Sequence, residues 1–185
     1  MLRNVILVFG LLLVLAVLSI FWGWDYWLDH SQDQPIRAAA LRYNVEPALV
    51  KAVVWRESRF HPNVRGRAEE IGLMQIREEA AREWADAEHI SDFQHEHCYN
   101  PVTNILAGTW YLRKLLKRYS YTDNPVPYAL ADYNAGRGNV LKWLKGPAAT
   151  NGEIFASQIA FRGTRDYVQS VTNRYAHYRP IFAAK

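Results

Sequence analysis

Among the 185 residues of this chain, the side chain best placed to do chemistry is Glu57. In the helix expected over residues 48–58, apolar side chains recur at Leu49, Val50, Val53 and Val54. Glu57 follows Val50 by seven positions, Val53 by four and Val54 by three, which puts it on the same face. A carboxylate on an apolar face must be paired, or its protonated form is favoured by desolvation. A neutral carboxylic acid at the end of a buried helix is the group required to protonate a leaving oxygen. The competing reading is a frayed last turn, with Glu57 reaching water or pairing with Arg56 or Arg59. Spacing alone leaves the two open.

Other constellations are weaker. His95-Glu96-His97-Cys98 offers metal-ligand atoms, but no second cluster has matching helical or finger spacing, so no metal site is expected. Gly136-Arg137-Gly138 imitates the start of a dinucleotide fingerprint, yet Leu141 stands at the third glycine position and no strand precedes it. No G-x-S-x-G elbow exists. Cys98 is the single cysteine, which excludes an intrachain disulfide and any C-x-x-C site.

The elements that must position Glu57 read as helices throughout. Proline opens several of them, where its missing N–H costs nothing: Pro35 before 36–43, Pro47 before 48–58, Pro101 before 102–119. Glu, Ala and Arg favour a helix over 77–87. Shorter helices are expected over 126–133, 137–144 and 152–159, and Thr164 is expected to cap a last one reaching about residue 178. No alternating β-branched run appears, so the fold class is all-α. Residues 59–76, with Pro62, Gly66 and Gly72, form the longest stretch without helix periodicity, and long loops in compact domains are often functional.

Residues 5–24 carry no charge, enough to span ~30 Å of hydrocarbon as a helix. The run exits through Trp22, Trp24, Tyr26 and Trp27, rings suited to the membrane–water interface, and offers no small-x-small cleavage site. Arg3 precedes it and Asp25, Asp29 and Asp33 follow, so the positive-inside rule places the N-terminus in the cytoplasm and the rest outside. An uncleaved anchor over 1–24, a polar linker over 25–34 and one domain over 35–185 are expected, with a cleaved signal as the alternative. A domain of that length buries its own core. The formal charge is +4, with a net −7 over 69–96 and a net +8 over 101–185. Solvated helix faces account for this; the alternative is a basic half facing an anionic polymer, and the extracytoplasmic placement argues against nucleic acid.

Five blocks, in order, carry a resemblance. They are Glu57-Ser58-Arg59-Phe60-His61-Pro62; Gly72-Leu73-Met74-Gln75-Ile76; Asn100-Pro101 with Asn104-Ile105 and Gly108; Ala131-Asp132-Tyr133-Asn134-Ala135-Gly136; and Thr164-Arg165-Asp166-Tyr167-Val168. Spanning roughly residues 36–179, they resemble the soluble-lytic-transglycosylase domain, a relative of goose-type lysozyme. The resemblance implies a lysozyme-like helical domain at the bacterial inner membrane, facing the periplasm, that cleaves peptidoglycan glycan strands between N-acetylmuramic acid and N-acetylglucosamine.

It implies a mechanism without cofactor: Glu57 as the single acid and base, the sugar's acetamido group assisting, and a 1,6-anhydro end as product. This is the substrate-assisted exception to the two-carboxylate rule. It further implies substrate contacts for Met74 and Gln75 on the groove floor, and for Tyr133 and Asn134. Tyr133 also suits the core, Asn134 suits a left-handed turn before Gly136, and Met74 with Phe60 suits keeping water from Glu57. The chain departs from the family pattern in three places: Gly66 where a serine is common, Glu69-Glu70 where a small pair is common, and Ser157 where a glutamate is common. Two alternatives stay open: a goose-type hydrolase, which would use water, and a non-catalytic wall-binding module. The sequence names no protein partner.

Overall fold

The chain is described by a computed structural model covering residues 2–183; the side chains of 2–9, 11 and 25, including Arg3 and Asp25, lie outside the described ones. Nine α-helices follow in order among these residues: α1 Leu2–Ser31, α2 Asp33–Tyr43, α3 Pro47–Ser58, α4 Glu78–Ala87, α5 Pro101–Arg118, α6 Pro125–Ala135, α7 Arg137–Trp143, α8 Gly152–Gln158 and α9 Arg162–Ala183. Two 3₁₀ turns, His95–Tyr99 and Gly146–Ala149, lie between them. The all-α expectation holds.

Local chemistry explains the starts. Pro47, Pro101 and Pro125 occupy first-turn positions. The Asn100 side chain accepts from the amides of Val102 and Thr103, at 3.0 and 3.2 Å, and Asn124 and Asn151 cap α6 and α8 in the same way. Thr164 does not cap the last helix. That helix begins at Arg162, and the Thr164 hydroxyl donates instead to Asn134 Oδ1 at 2.8 Å.

Helix α3 is the centre of the domain. Ala48, Leu49, Val50, Ala52, Val53 and Val54 are all buried, so the helix is enclosed on more than one face, with α9 and α2 packed against it. Lys51 in the same helix has no exposure, and its ammonium sits 3.0 Å from Asp29 and 2.8 Å from Asp33. The Tyr178 hydroxyl of α9 donates to Asp29 at 2.5 Å.

Residues 25–34 are therefore not an open linker. Helix α1 runs through to Ser31, α2 starts at Asp33, and the two aspartates that look like linker polarity are consumed by a buried lysine. Before that junction the described side chains between Leu12 and Trp27 are exposed, Trp22 at 81% and Trp27 at 57%, and the helix is long and apolar enough to cross a membrane.

Candidate active site

The last turn of α3 delivers Glu57. The chain leaves the helix through Arg59 and Phe60, both left-handed at φ 52° and 64°, and Phe60 turns back into the core. The Ser58 hydroxyl lies 2.8 Å from the Leu73 carbonyl and 3.2 Å from that of Val54, which joins the helix end to the loop that follows. That loop is shaped by Asn104 of α5, fully buried: its Oδ1 accepts from the Met74 amide, and its Nδ2 donates to the carbonyls of Ile71 and Cys98, each at 2.8 Å. Gly72, at φ 78°, lies so close to Asn104 that a side chain there would overlap the amide. Asn104 stands in the third sequence block, but its clamping role is not legible without the fold.

A cavity of about 380 Å³ opens beside Glu57, with Glu70, Gln75, Asp132, Tyr133 and Asn134 in its wall. Three carboxylates meet there, and two are spent. Asp132 is buried and held by Arg118 at 2.6 Å and by the Tyr119 hydroxyl at 2.7 Å. Glu70 accepts from the Ala68 amide at 3.0 Å and from Arg77 at 3.1 Å. Glu57 has no ion pair among the described residues. The Tyr167 hydroxyl donates to its Oε1 at 2.6 Å, and Oε2 has no protein partner among them.

The environment sets its proton affinity. Burial pushes the Glu57 carboxyl up to about 7, and the Glu70 charge adds to that; the Tyr167 hydrogen bond and the Arg56 charge oppose it. Burial, and then the Glu57 charge, push the phenols of Tyr167 and Tyr133 well up, so both remain donors. The group can thus give a proton and take one back near neutrality.

The other expected site residues divide. Tyr133 lines the cavity, its ring 5.5 Å from that of Tyr111 and its hydroxyl donating to the Met74 carbonyl at 2.8 Å. Gln75 lines it too, but its Nε2 donates to the carbonyls of Val64 and Gly72, at 3.0 and 2.9 Å, so the remaining polar atom is Oε1. Asn134 is exposed at the rim, within α6, and the positive φ of 79° falls at Gly136. Met74 differs from the expected groove floor. Its side chain is fully buried against Gly108 and does not line the cavity, so its backbone carbonyl is the part that reaches toward the site, through Tyr133.

Two departures have a structural account. A Cβ on Gly66 would overlap Glu70 Oε2, so the Glu70 carboxylate fills the space that a side chain at 66 would take. Glu69 points elsewhere, exposed and paired with Arg65. His95 and Cys98 serve the core: the His95 Nε2–H donates to the Ile76 carbonyl at 3.0 Å, and burial pushes the Cys98 thiol up to about 12.

An all-helical domain thus places at the end of its central helix, facing a polar groove, a carboxyl with no ion pair among the described residues. Residues 34–155 match the Transglycosylase SLT domain, and the chain belongs to that family. It is 31% identical over 170 residues to a putative soluble lytic murein transglycosylase of Haemophilus influenzae, covering 88% of this chain and 28% of the relative. It is 38% identical over 113 residues to a membrane-bound lytic murein transglycosylase C of Actinobacillus pleuropneumoniae, covering 58% of this chain and 31% of the relative.

Among solved structures, the lytic transglycosylase Slt of Pseudomonas aeruginosa superposes with a TM-score of 0.76 at 25% identity, over 84% of this chain and 25% of that one. The 70 kDa soluble lytic transglycosylase of Escherichia coli gives 0.73 at 27% identity, over 81% and 24%. The chain thus spans less than a third of the length of these relatives.

Proposed function

We propose that this chain is a membrane-anchored peptidoglycan lytic transglycosylase. The observation that carries the reading is Glu57: a carboxyl raised to about 7 by burial, fixed at one oxygen by Tyr167, in a groove whose other carboxylates are neutralised. In the proposed reaction protonated Glu57 gives its proton to the oxygen linking N-acetylmuramic acid to N-acetylglucosamine. The bond from that oxygen to the anomeric carbon breaks as the muramic acid's acetamido oxygen bonds to the same carbon. Ionised Glu57 then takes the proton of the 6-hydroxyl, whose oxygen closes on the anomeric carbon and displaces the acetamido oxygen. Glu57 ends protonated, as it began, and no water is consumed. The tethered hydroxyl has the high effective concentration of an intramolecular nucleophile.

Tyr133 and Asn134 at the cavity supply polar contacts for the sugar, Gln75 Oε1 accepts from it, and Met74 acts through its carbonyl on Tyr133. Residues 5–24 hold the chain in the inner membrane as a single span, with the domain on the periplasmic side; the exposed aromatic residues at the end of α1 and the membrane-bound relative support this placement. The test is mass spectrometry of products from purified wall. Ends in 1,6-anhydromuramic acid, lighter by one water than the hydrolytic product, are expected. Reducing ends would assign the chain to the hydrolases, and tight binding without product would make it a wall-binding module.

A further inference from the structure

A second cavity, of about 350 Å³, lies away from the glycan groove, where α1 meets the domain. Leu28 and Asp29 of α1, Trp55 of α3, Arg59, Phe60 and His61 of the loop and Arg174 of α9 form its wall. Among the described residues its charge is not balanced. The guanidinium carbons of Arg59 and Arg174 lie 3.5 and 4.0 Å from the centroid of the same Trp55 ring, and Arg56 lies over the neighbouring Tyr167. None of these three arginines has a carboxylate within ion-pair distance among the described residues, whereas Arg42, Arg77, Arg82 and Arg118 each have one.

Stacking on an indole satisfies the face of a guanidinium but leaves its five in-plane N–H donors unused. The cations also act on one another: burial first, then the charges of Arg174 and Arg56, lower the proton affinity of Arg59. The one acid among the described wall residues, Asp29, is already engaged by Lys51 and Tyr178. Asp29 also comes only two residues after Trp27, the last of the rings expected at the membrane–water interface. On the anchored reading the cavity lies near the depth of lipid head groups, with Leu28 and Phe60 as the apolar part of its wall.

We propose that this cavity binds the phosphate of one anionic phospholipid head group, with Arg59 and Arg174 as its forked donors. Guanidinium geometry matches two phosphate oxygens, and juxtamembrane cations attract anionic lipid. The bound head group would supply counter-charge to these arginines and fix the domain against the membrane. This rests on the anchored reading proposed above.

The test uses the intact chain in neutral maltoside micelles, with native mass spectrometry to count retained lipid. Phosphatidylglycerol is expected to be retained as one molecule per chain, with phosphatidylcholine retained far less. Arg59→Gln and Arg174→Gln should each weaken phosphatidylglycerol retention by ~10-fold, the effect of losing one charge-assisted contact, while wall digestion by Arg174→Gln is unchanged. If Arg59→Gln, at the end of α3, does not fold, Arg174→Gln on α9 carries the test alone. Equal retention of both lipids, or retention unaffected by Arg174→Gln, overturns the proposal. Displacement of the lipid by inorganic phosphate at equal concentration would reassign the site to free phosphate, and displacement by a soluble wall peptide would reassign it to the wall. A shortened soluble chain recovered from cells would remove the anchor without affecting a measurement on intact chain in micelles, so the two failures remain distinct.

Discussion

Lys51 makes the junction between α1 and the domain measurable. Its ammonium has no exposure and is held by two carboxylates, Asp29 at 3.0 Å and Asp33 at 2.8 Å, both from the stretch that reads as linker. Asp29→Asn with Asp33→Asn keeps the side-chain shape and removes both counter-charges. Breaking a buried ion pair from one side costs about 3–5 kcal/mol, because the remaining charge has neither water nor partner. For a domain of this size that is a fall in melting temperature of roughly 6–20 °C. Thermal unfolding followed by circular dichroism should register it, and adding Lys51→Met should recover most of the loss, since an apolar residue of similar volume needs no counter-charge. A chain beginning at residue 25 should match the full chain's domain stability, whereas one beginning at 35 should unfold far earlier, having lost Leu28 packing as well. Equal stability of the chains beginning at 25 and at 35 would refute the reasoning.

Glu57→Gln should reduce wall lysis by at least ~100-fold with little change in melting temperature, because Gln is nearly isosteric and still accepts from Tyr167. Since the folded protein holds the Glu57 proton more tightly than the unfolded chain does, wild type should lose stability relative to Glu57→Gln as pH rises from about 4.5 through about 7, which denaturant titration across that range would detect. Tyr167→Phe removes a donor to the carboxylate, so the alkaline limb of the rate profile, set by loss of the Glu57 proton, should move above about 7; a limb moving down would contradict the assigned hydrogen bond. Gly66→Ser should displace Glu70 and lower stability, and shortening Glu70 to Ala in the same chain should relieve the clash, as paired melting curves would report.

Helix positions were legible where proline stands at a helix start, as at Pro47 and Pro101, and that cue is local. The junction was not legible: a buried ion pair looks the same in sequence as a solvated linker until Lys51 is seen to be enclosed. Glu57 stood out from its apolar neighbours, and the structure gives a stronger reason than a stripe, since α3 is enclosed on more than one face. Glu70 and Asp132 could not be placed beside Glu57 from spacing, because the fold of residues 59–77 and the meeting of α5 with α6 bring them there. Met74 shows the limit of carrying a role by residue type. The resemblance points to its side chain, whereas the packing against Gly108 leaves only its carbonyl directed toward the site.

The junction at Lys51 also bears on reach. A flexible tether lets an enzyme sample wall at many heights, its excursion growing with the square root of tether length. Here helix passes into domain with a single turn residue between α1 and α2, and the seam is closed by buried charge. With residues 5–24 in the bilayer as proposed, the domain stands on a post rather than a leash. Its groove then stays within about one domain diameter of the lipid, a few tens of ångströms by the ~15 Å radius of gyration expected for some 150 residues. The glycan open to cutting is the innermost layer, and a longer working height would require chain inserted on the membrane side of Leu28, where it would leave the Lys51 seam intact.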